Sequence, residues 1–295
     1  MTPDTRRGIW TMIAVTFLFA VMDGISGHLS RNANVFMVVM IRYWFFAAFV
    51  IWLAARHPGG WRAATRSGAP WVQVLRAILL VAEILATVQG FVYLGLVATH
   101  AVFAVYPLIV AALSGPILRE RVGWQRWLAI MVGFAGILII LRPGTTVFEP
   151  AAILPLTGAL IFALYNLLTR YVARFDAASV SFFYTGTVGA GLATVLGLMH
   201  WQPLHGSDWL LMAALCVIAL GAHWLMIRAY ELAEASDLQP FAYFQLVFIA
   251  LIGFFVLHET VAPHVVLGGA IVVSAGLFTL LRARIRARRA RRRGE

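Results

Sequence analysis

The sequence has no lysine and a single cysteine, and only 12% of its residues are charged. One cysteine, Cys216, excludes a disulfide framework and a paired-thiolate metal centre. No Gly-x-Ser-x-Gly, no His-Glu-x-x-His and no phosphate-cradling glycine loop is present. Asp23-Gly24-Ile25-Ser26-Gly27 misses the serine-hydrolase spacing. Little chain is left for a soluble nucleotide-binding domain. Neither enzyme chemistry, nor a metal, nor a cofactor is expected.

What the chain does have is apolar length. Hydrophobic residues make up 62% of its 295 residues and the mean hydropathy is +0.87; soluble domains run at roughly 45–50% apolar. Windows of about 20 apolar residues, each enough to cross a bilayer, predict an all-α polytopic membrane protein with ten helices. They fall near 8–29, 34–55, 71–95, 98–118, 123–141, 150–173, 178–199, 208–232, 237–257 and 262–281. The basic start, Met1 to Gly8, leads into the first of these without a small-residue cleavage site, so it reads as an uncleaved helix.

The 23 arginines crowd into alternate loops. They stand at Arg6 and Arg7, at Arg56, Arg62 and Arg66, at Arg119 and Arg121, at Arg170 and Arg174, and in the tail from Arg282 to Arg293. The opposite loops hold only Arg31 and Arg142. By the positive-inside rule both termini lie in the cytoplasm. The tail, directly after the last span, suits anionic lipid headgroups better than nucleic acid, at about 1 kcal/mol per residue near the surface.

The two halves resemble each other. Phe19-Ala20-Val21-Met22-Asp23 matches Phe162-Ala163-Leu164-Tyr165-Asn166, with Arg31 and Arg174 following at equal distance. Glu120-Arg121-Val122 matches Glu259-Thr260-Val261, and Tyr93…Ala98-Thr99 matches Tyr230…Ala235-Ser236. The expected organisation is a first five-helix repeat over 1–146, a second over 147–281 and a basic tail over 282–295. Five helices is an odd number, so the second repeat enters the membrane inverted. Inverted repeats of this kind are a recurring construction of transporters.

These residues resemble the drug/metabolite transporter superfamily, of the EamA type with ten helices, and most of all its bacterial amino-acid exporters. The resemblance covers nearly the whole chain and rests on Arg42, the Tyr93–Thr99 hairpin, Pro107, Glu120 and Gly136, then Glu259, Gly268 and Gly276. The second half departs from the pattern: Leu246 stands where a proline is expected, no arginine matches Arg42, and Ala129 replaces the first glycine after Glu120. The resemblance implies a carrier in the bacterial inner membrane that exports small amino acids or related metabolites by alternating access. Phosphorylated or nucleotide-linked sugars are the rival substrates within the superfamily. A non-transporting membrane scaffold or enzyme is the rival from another class.

An ionisable group in hydrocarbon is costly, so each one inside a span is a candidate for function. Glu83 lies about 12 residues into the third window, or roughly 18 Å, near the midplane. Two readings stand: contact with a substrate ammonium or a proton, or a buried ion pair with Arg42 or Arg76. Asp23 and Asn166 occupy equivalent places in the repeats; packing is favoured for Asp23 and a cavity role for Asn166, beside Tyr165. Gln89, Tyr93, His100, Tyr106, His223, Trp224, Tyr243 and Gln245 are the further residues expected to line a neutral, aromatic-rich cavity. Glu120 and Glu259 are expected to close helices four and nine by bonding backbone or arginines such as Arg119 and Arg121.

Pro107, in the middle of the fourth window, is expected to remove a backbone hydrogen bond, with Pro240 near the start of the ninth. The very short connections between windows three and four and between eight and nine make stiff hairpins expected to rock around the cavity. Ser181, Thr185, Gly189, Ala193 and Gly197 form a ridge of small residues, suited to an intramolecular contact more than to a dimer. Trp61, Trp71, Trp124, Trp127 and Trp209, at window ends, read as an interfacial belt. The topology is open to a direct check. A periplasm-specific reporter fused after Glu295 should be silent, and activity there would reverse the orientation.

Overall fold

A computed structural model describes residues 3–118, 124–141, 150–172, 174–202, 204–232, 241 and 243–293; they form helices and, among them, no strand. The helices are α1 (Pro3–Asn32), α2 (Val35–Ala55), α3 (Gly60–Thr65), α4 (Pro70–Leu94), α5 (Leu96–Phe103), α6 (Tyr106–Leu118), α7 (Trp124–Leu141), α8 (Ile153–Val172), α9 (Ala178–Met199), α10 (Asp208–Leu232), α11 (Phe244–Phe255) and α12 (Pro263–Arg293). Among the described residues six helices are long and apolar enough to cross a membrane, in α1, α2, α4, α9 and α10 and over Pro150–Thr169, which runs from a short turn into α8. Four shorter apolar stretches, Leu96–Val110, Trp127–Ile140, Phe244–Phe255 and Pro263–Phe278, lie where the sequence reading places windows four, five, nine and ten.

Local sequence explains the breaks. Asn34 caps α2, its side chain accepting the Phe36 N–H at 2.9 Å. Pro70 opens α4 in its first turn, where no N–H is needed. Gly95, at φ +87°, makes the one-residue turn between α4 and α5, a conformation that suits glycine. The fourth window is not one helix: the chain breaks at Ala104–Val105 and restarts at Tyr106. Pro107 therefore sits in the first turn of α6 and not mid-helix, and its missing N–H costs that helix nothing. A short helix, α3, occupies the arginine-rich loop that the sequence reading left plain. The backbone of α12 stays helical through the arginine tail to Arg293. The boundary expected between 146 and 147 lies outside the described residues.

The helices pair between the two halves of the chain. α1 packs along α10 and α4 along α8; α2 packs on α9, and α7 on α12. α6 touches α8 as α11 touches α1. Exchanging α1, α2, α4, α5–α6 and α7 for α8, α9, α10, α11 and α12 leaves this scheme unchanged. The small-residue ridge of α9 packs within the chain, with Gly189 and Gly197 beside Tyr43 and Met40 of α2. The belt tryptophans are exposed, Trp71 the most at 83%.

α7 and α12 cross at glycines: a Cβ placed on Gly136 lies 2.8 Å from the backbone oxygen of Gly268. A backbone oxygen cannot step aside as a side chain can. Gly136→Ala should therefore cost about 1–3 kcal/mol by overpacking. Gly221→Ala, with nothing within 4 Å of its Cβ, should be neutral or slightly stabilising. Thermal unfolding of the two purified variants in one detergent checks the contrast.

Candidate functional site

A column of polar side chains runs through the bundle, in a middle tier and two end tiers. In the middle, Asp23 of α1 accepts a hydrogen bond from Gln245 Nε2 of α11 at 3.0 Å. His100 Nε2 of α5 lies 3.3 Å from the same carboxylate oxygen. That approach is ionic when His100 is protonated, since its Nε2 has no aligned hydrogen-bond partner among the described residues. The ring of Phe91 stacks on His100 at 5.3 Å between centroids. Glu83 of α4 is buried, 6% exposed, and accepts from Thr87 Oγ1 at 2.9 Å. Asp23 and Arg42 lie within electrostatic range of it.

Beside Leu80 and Ile84 of α4 is a small cavity of about 20 Å³, room for about one water. Arg42, Tyr43, Phe46, Phe182, Cys216 and His223 are among its walls. Helices α7 and α12 contribute nothing to this tier.

At the end that carries the termini, the tier is built around Arg76 and Asp176. Arg76 is 2% exposed; its Nε donates to Thr169 Oγ1 at 2.8 Å and its Nη2 to Tyr165 Oη at 3.3 Å. Its Nη1 donates to Gln73 Oε1, and the guanidinium lies 4.9 Å from the Tyr165 ring centre. Gln73 Nε2 donates onward to Asp176 Oδ2 at 2.7 Å and Ser181 Oγ at 2.9 Å. Ser67 Oγ and the Gly68 N–H complete the ring around Asp176, at 2.5 and 2.7 Å. Partial burial pushes the Asp176 carboxyl up, but the bonds from Ser67, Gln73 and Gly68, with the Arg76 charge, outweigh it and hold the group below its ordinary value.

At the far end Glu259 takes the corresponding part. Its carboxylate accepts the Leu96 and Val97 N–H groups at 2.8 and 3.1 Å, satisfying the open start of α5. Arg31 Nη2 pairs with it at 3.1 Å and also donates to the Phe91 carbonyl at 2.9 Å. A Cβ on Gly95 would come within 3.0 Å of that carboxylate, a second reason for glycine there. Outside this seal a cavity of about 470 Å³ is lined by Arg31, Tyr93, Gly95, Glu259 and His264 among others.

The structure thus sorts the expected residues. Glu83, His100, His223, Gln245, Asp23 and Arg42 come together. Tyr165 and Arg76 belong to the terminal-end seal, and Glu259 to the far one, bonding backbone as expected but pairing with Arg31. Neither Arg76 nor Arg42 forms an ion pair with Glu83 among the described residues. Asn166 Nδ2 donates to the Phe162 carbonyl of its own helix at 2.7 Å, whereas Asp23 makes contacts between helices. Trp224 faces outward, 44% exposed, with Arg228 over its ring at 5.7 Å.

Tyr93 lines the outer cavity and Gln89 neither cavity. Tyr106 packs on Phe103 and Phe162, and Tyr243 against Gly276 of α12. Glu120 and Pro240 lie outside the described residues. Sequence reasoning missed Ser67, Gln73, Thr169 and Asp176, which are ordinary loop or helix polar residues until the fold joins them. It missed Tyr43 too, although that residue adjoins Arg42.

The sequence profile of the EamA-like transporter family matches the chain twice, over residues 6–142 and 149–281. The chain is 28% identical to a riboflavin transporter of Vibrio cholerae, over 92% of each chain. It is 24% identical to an S-adenosylmethionine uptake transporter of Rickettsia prowazekii, over 93% of this chain and 92% of the other. It is 22% identical to a pseudopaline exporter of Pseudomonas aeruginosa, over 92% and 94%. A solved crystal structure superposes with a TM-score of 0.63 at 17% identity, covering 97% of this chain and 99% of that one, a likeness of fold.

Asp176 carries a pH signature. A carboxyl held below its unfolded value contributes stability that is present above that value and lost as the pH falls through the folded one. Asp176→Asn should therefore lower the melting temperature by about 2–4 °C near neutrality. The gap should close in acid below 3.8, the ordinary value, where the wild-type carboxyl is itself being protonated. Melting curves of both proteins across pH test this.

Proposed function

Since the chain belongs to the EamA-like transporter family, we propose that it carries small amino acids or related metabolites across the bacterial inner membrane by alternating access. It is a multi-pass membrane transporter and not an enzyme. The observation that carries the finer reading is the polar middle tier, closed at each end by a separate seal. Each seal joins the first half of the chain to the second: Ser67, Gln73 and Arg76 to Asp176 and Thr169 at one end, Arg31 and Leu96 to Glu259 at the other. Breaking one while keeping the other exposes the middle to one side. The exchange symmetry of the helix packing supports two inverted repeats that rock against each other. The arginine distribution supports cytoplasmic termini, which puts the Asp176 seal on the cytoplasmic side.

S-adenosylmethionine is an amino-acid derivative, and it and riboflavin each combine a planar ring with polar groups. Phe46, Phe182 and His223 at the cavity suit such bodies. The relatives' names run both ways, uptake and export. Export, implied by the likeness to amino-acid exporters, is thus a proposal to be read from the direction of flux. Carriage of phosphorylated sugars is the weaker reading. It calls for several arginines at the cavity, yet Arg76 is spent on the cytoplasmic seal and Arg228 is exposed over the Trp224 ring, away from the cavity lining.

The test is saturable flux in liposomes that contain only this protein. A Cβ at Gly68 lies 3.2 Å from that of Phe175, close to the separation of about 3.5–4.5 Å in a disulfide. The pair Gly68→Cys and Phe175→Cys should cross-link on oxidation, stop flux, and recover on reduction; each single variant should be unaffected. Flux through the cross-linked protein would overturn the gate.

A further inference from the structure

We propose that Arg42 and Tyr43 form a subsite for a carboxylate, so that the substrate is a monoanionic or zwitterionic acid; this rests on the transport reading above. Arg42 lies eight residues past the Asn34 cap, roughly 12 Å along α2. A guanidinium at such depth is costly unless it is matched. The other interior arginines of the column are matched, Arg31 by Glu259 and Arg76 by three side chains. Arg42 makes no hydrogen bond or ion pair among the described residues. Its cavity is where its partner is missing.

The next residue points the same way. Tyr43 is 2% exposed, lines the same cavity, and its hydroxyl has no hydrogen-bond partner among the described residues. A buried hydroxyl without a partner is destabilising until something accepts from it. Gly189 leaves room for the ring, since a Cβ there would overlap it. On the opposite helix His223 Nδ1 donates to the Ala219 carbonyl at 2.7 Å, which leaves Nε2 as an acceptor for a substrate N–H rather than for the carboxylate. A carboxylate accepts from the guanidinium fork and from the hydroxyl together.

One unpaired cation matches one negative charge, which selects a carboxylate over a phosphate dianion. Leu80 and Ile84, flanking Glu83 on α4, line the same space. Phe46 and Phe182, in ring contact at 4.5 Å, take an apolar body.

Cys216 provides a reporter, because it is the only cysteine of the chain and lines this cavity. The full-length protein in liposomes is treated with ethylsulfonate or ethyltrimethylammonium methanethiosulfonate. The anionic reagent should label Cys216 at least about tenfold faster relative to the cationic one than in Arg42→Gln. That factor is the size expected of one unit charge at roughly 10 Å in a protein medium. Arg42→Lys should keep most of the preference, and Tyr43→Phe should keep it while weakening acid binding. L-phenylalanine should protect Cys216 and L-phenylalaninamide should not.

An unchanged preference in a folded Arg42→Gln protein overturns the subsite. So does equal protection by acid and amide, by neither, or a cysteine that no reagent reaches. Because folding of Arg42→Gln is checked by its melting curve, Arg42→Lys and the acid–amide comparison stand if that variant fails. Saturable flux of a compound without a carboxylate, unaffected by Arg42→Gln, would leave the transporter reading intact and remove this one.

Discussion

Inside a bilayer a polar group has no water to fall back on, so each one must find its partner in the protein. In this chain several of the deep polar groups find partners in the other half. Asp23 is met by Gln245, Arg31 by Glu259, and Arg76 by Thr169 and Tyr165. Apolar packing between helices discriminates weakly in lipid, where the tails are as apolar as leucine. These bonds across the halves therefore decide which faces meet and how far each pair is inserted.

The same division explains where rigidity and motion lie. α7 and α12 meet glycine to glycine, add nothing to the polar column, and form a tight pair at its side. The helices that carry the column are joined by bonds few enough to break in sets. The start of α5 depends on the carboxylate of Glu259 for its N–H partners, so loosening that seal also frees the one-residue turn at Gly95. The Asp176 ring ties the loop before α4 to the loop before α9 in the same manner. Each seal is local, and neither shares a residue with the other.

Against that background Arg42 stands out because its surroundings do not complete it. An arginine matched inside the protein would serve packing. One left facing a cavity with a bare tyrosine hydroxyl serves a molecule that comes and goes, since only a ligand that leaves again can be lodged there without becoming structure.

Composition and pattern alone determined the membrane class, the places of the apolar segments, the ridge on α9 and the likeness between the halves. All of these follow from periodicity and charge, which are properties of neighbours in the chain. Glu83, His100, His223 and Gln245 were legible as candidates because a polar residue in an apolar run is conspicuous wherever it lies. Their partners were not. Whether Asp23 or Asn166 reaches across to another helix depends on helix rotation, which a lone polar residue does not set. Nor could the sequence separate Arg76 from Arg42: both are arginines in apolar windows, yet one is closed by residues about 90 positions away and the other by none described. Ser67, Gln73 and Asp176 carry no local signal, because their bonds span more than 100 residues. The tertiary structure decided these matters because the low dielectric of the bundle makes each polar contact between helices strong, while only the packed fold sets which contacts exist.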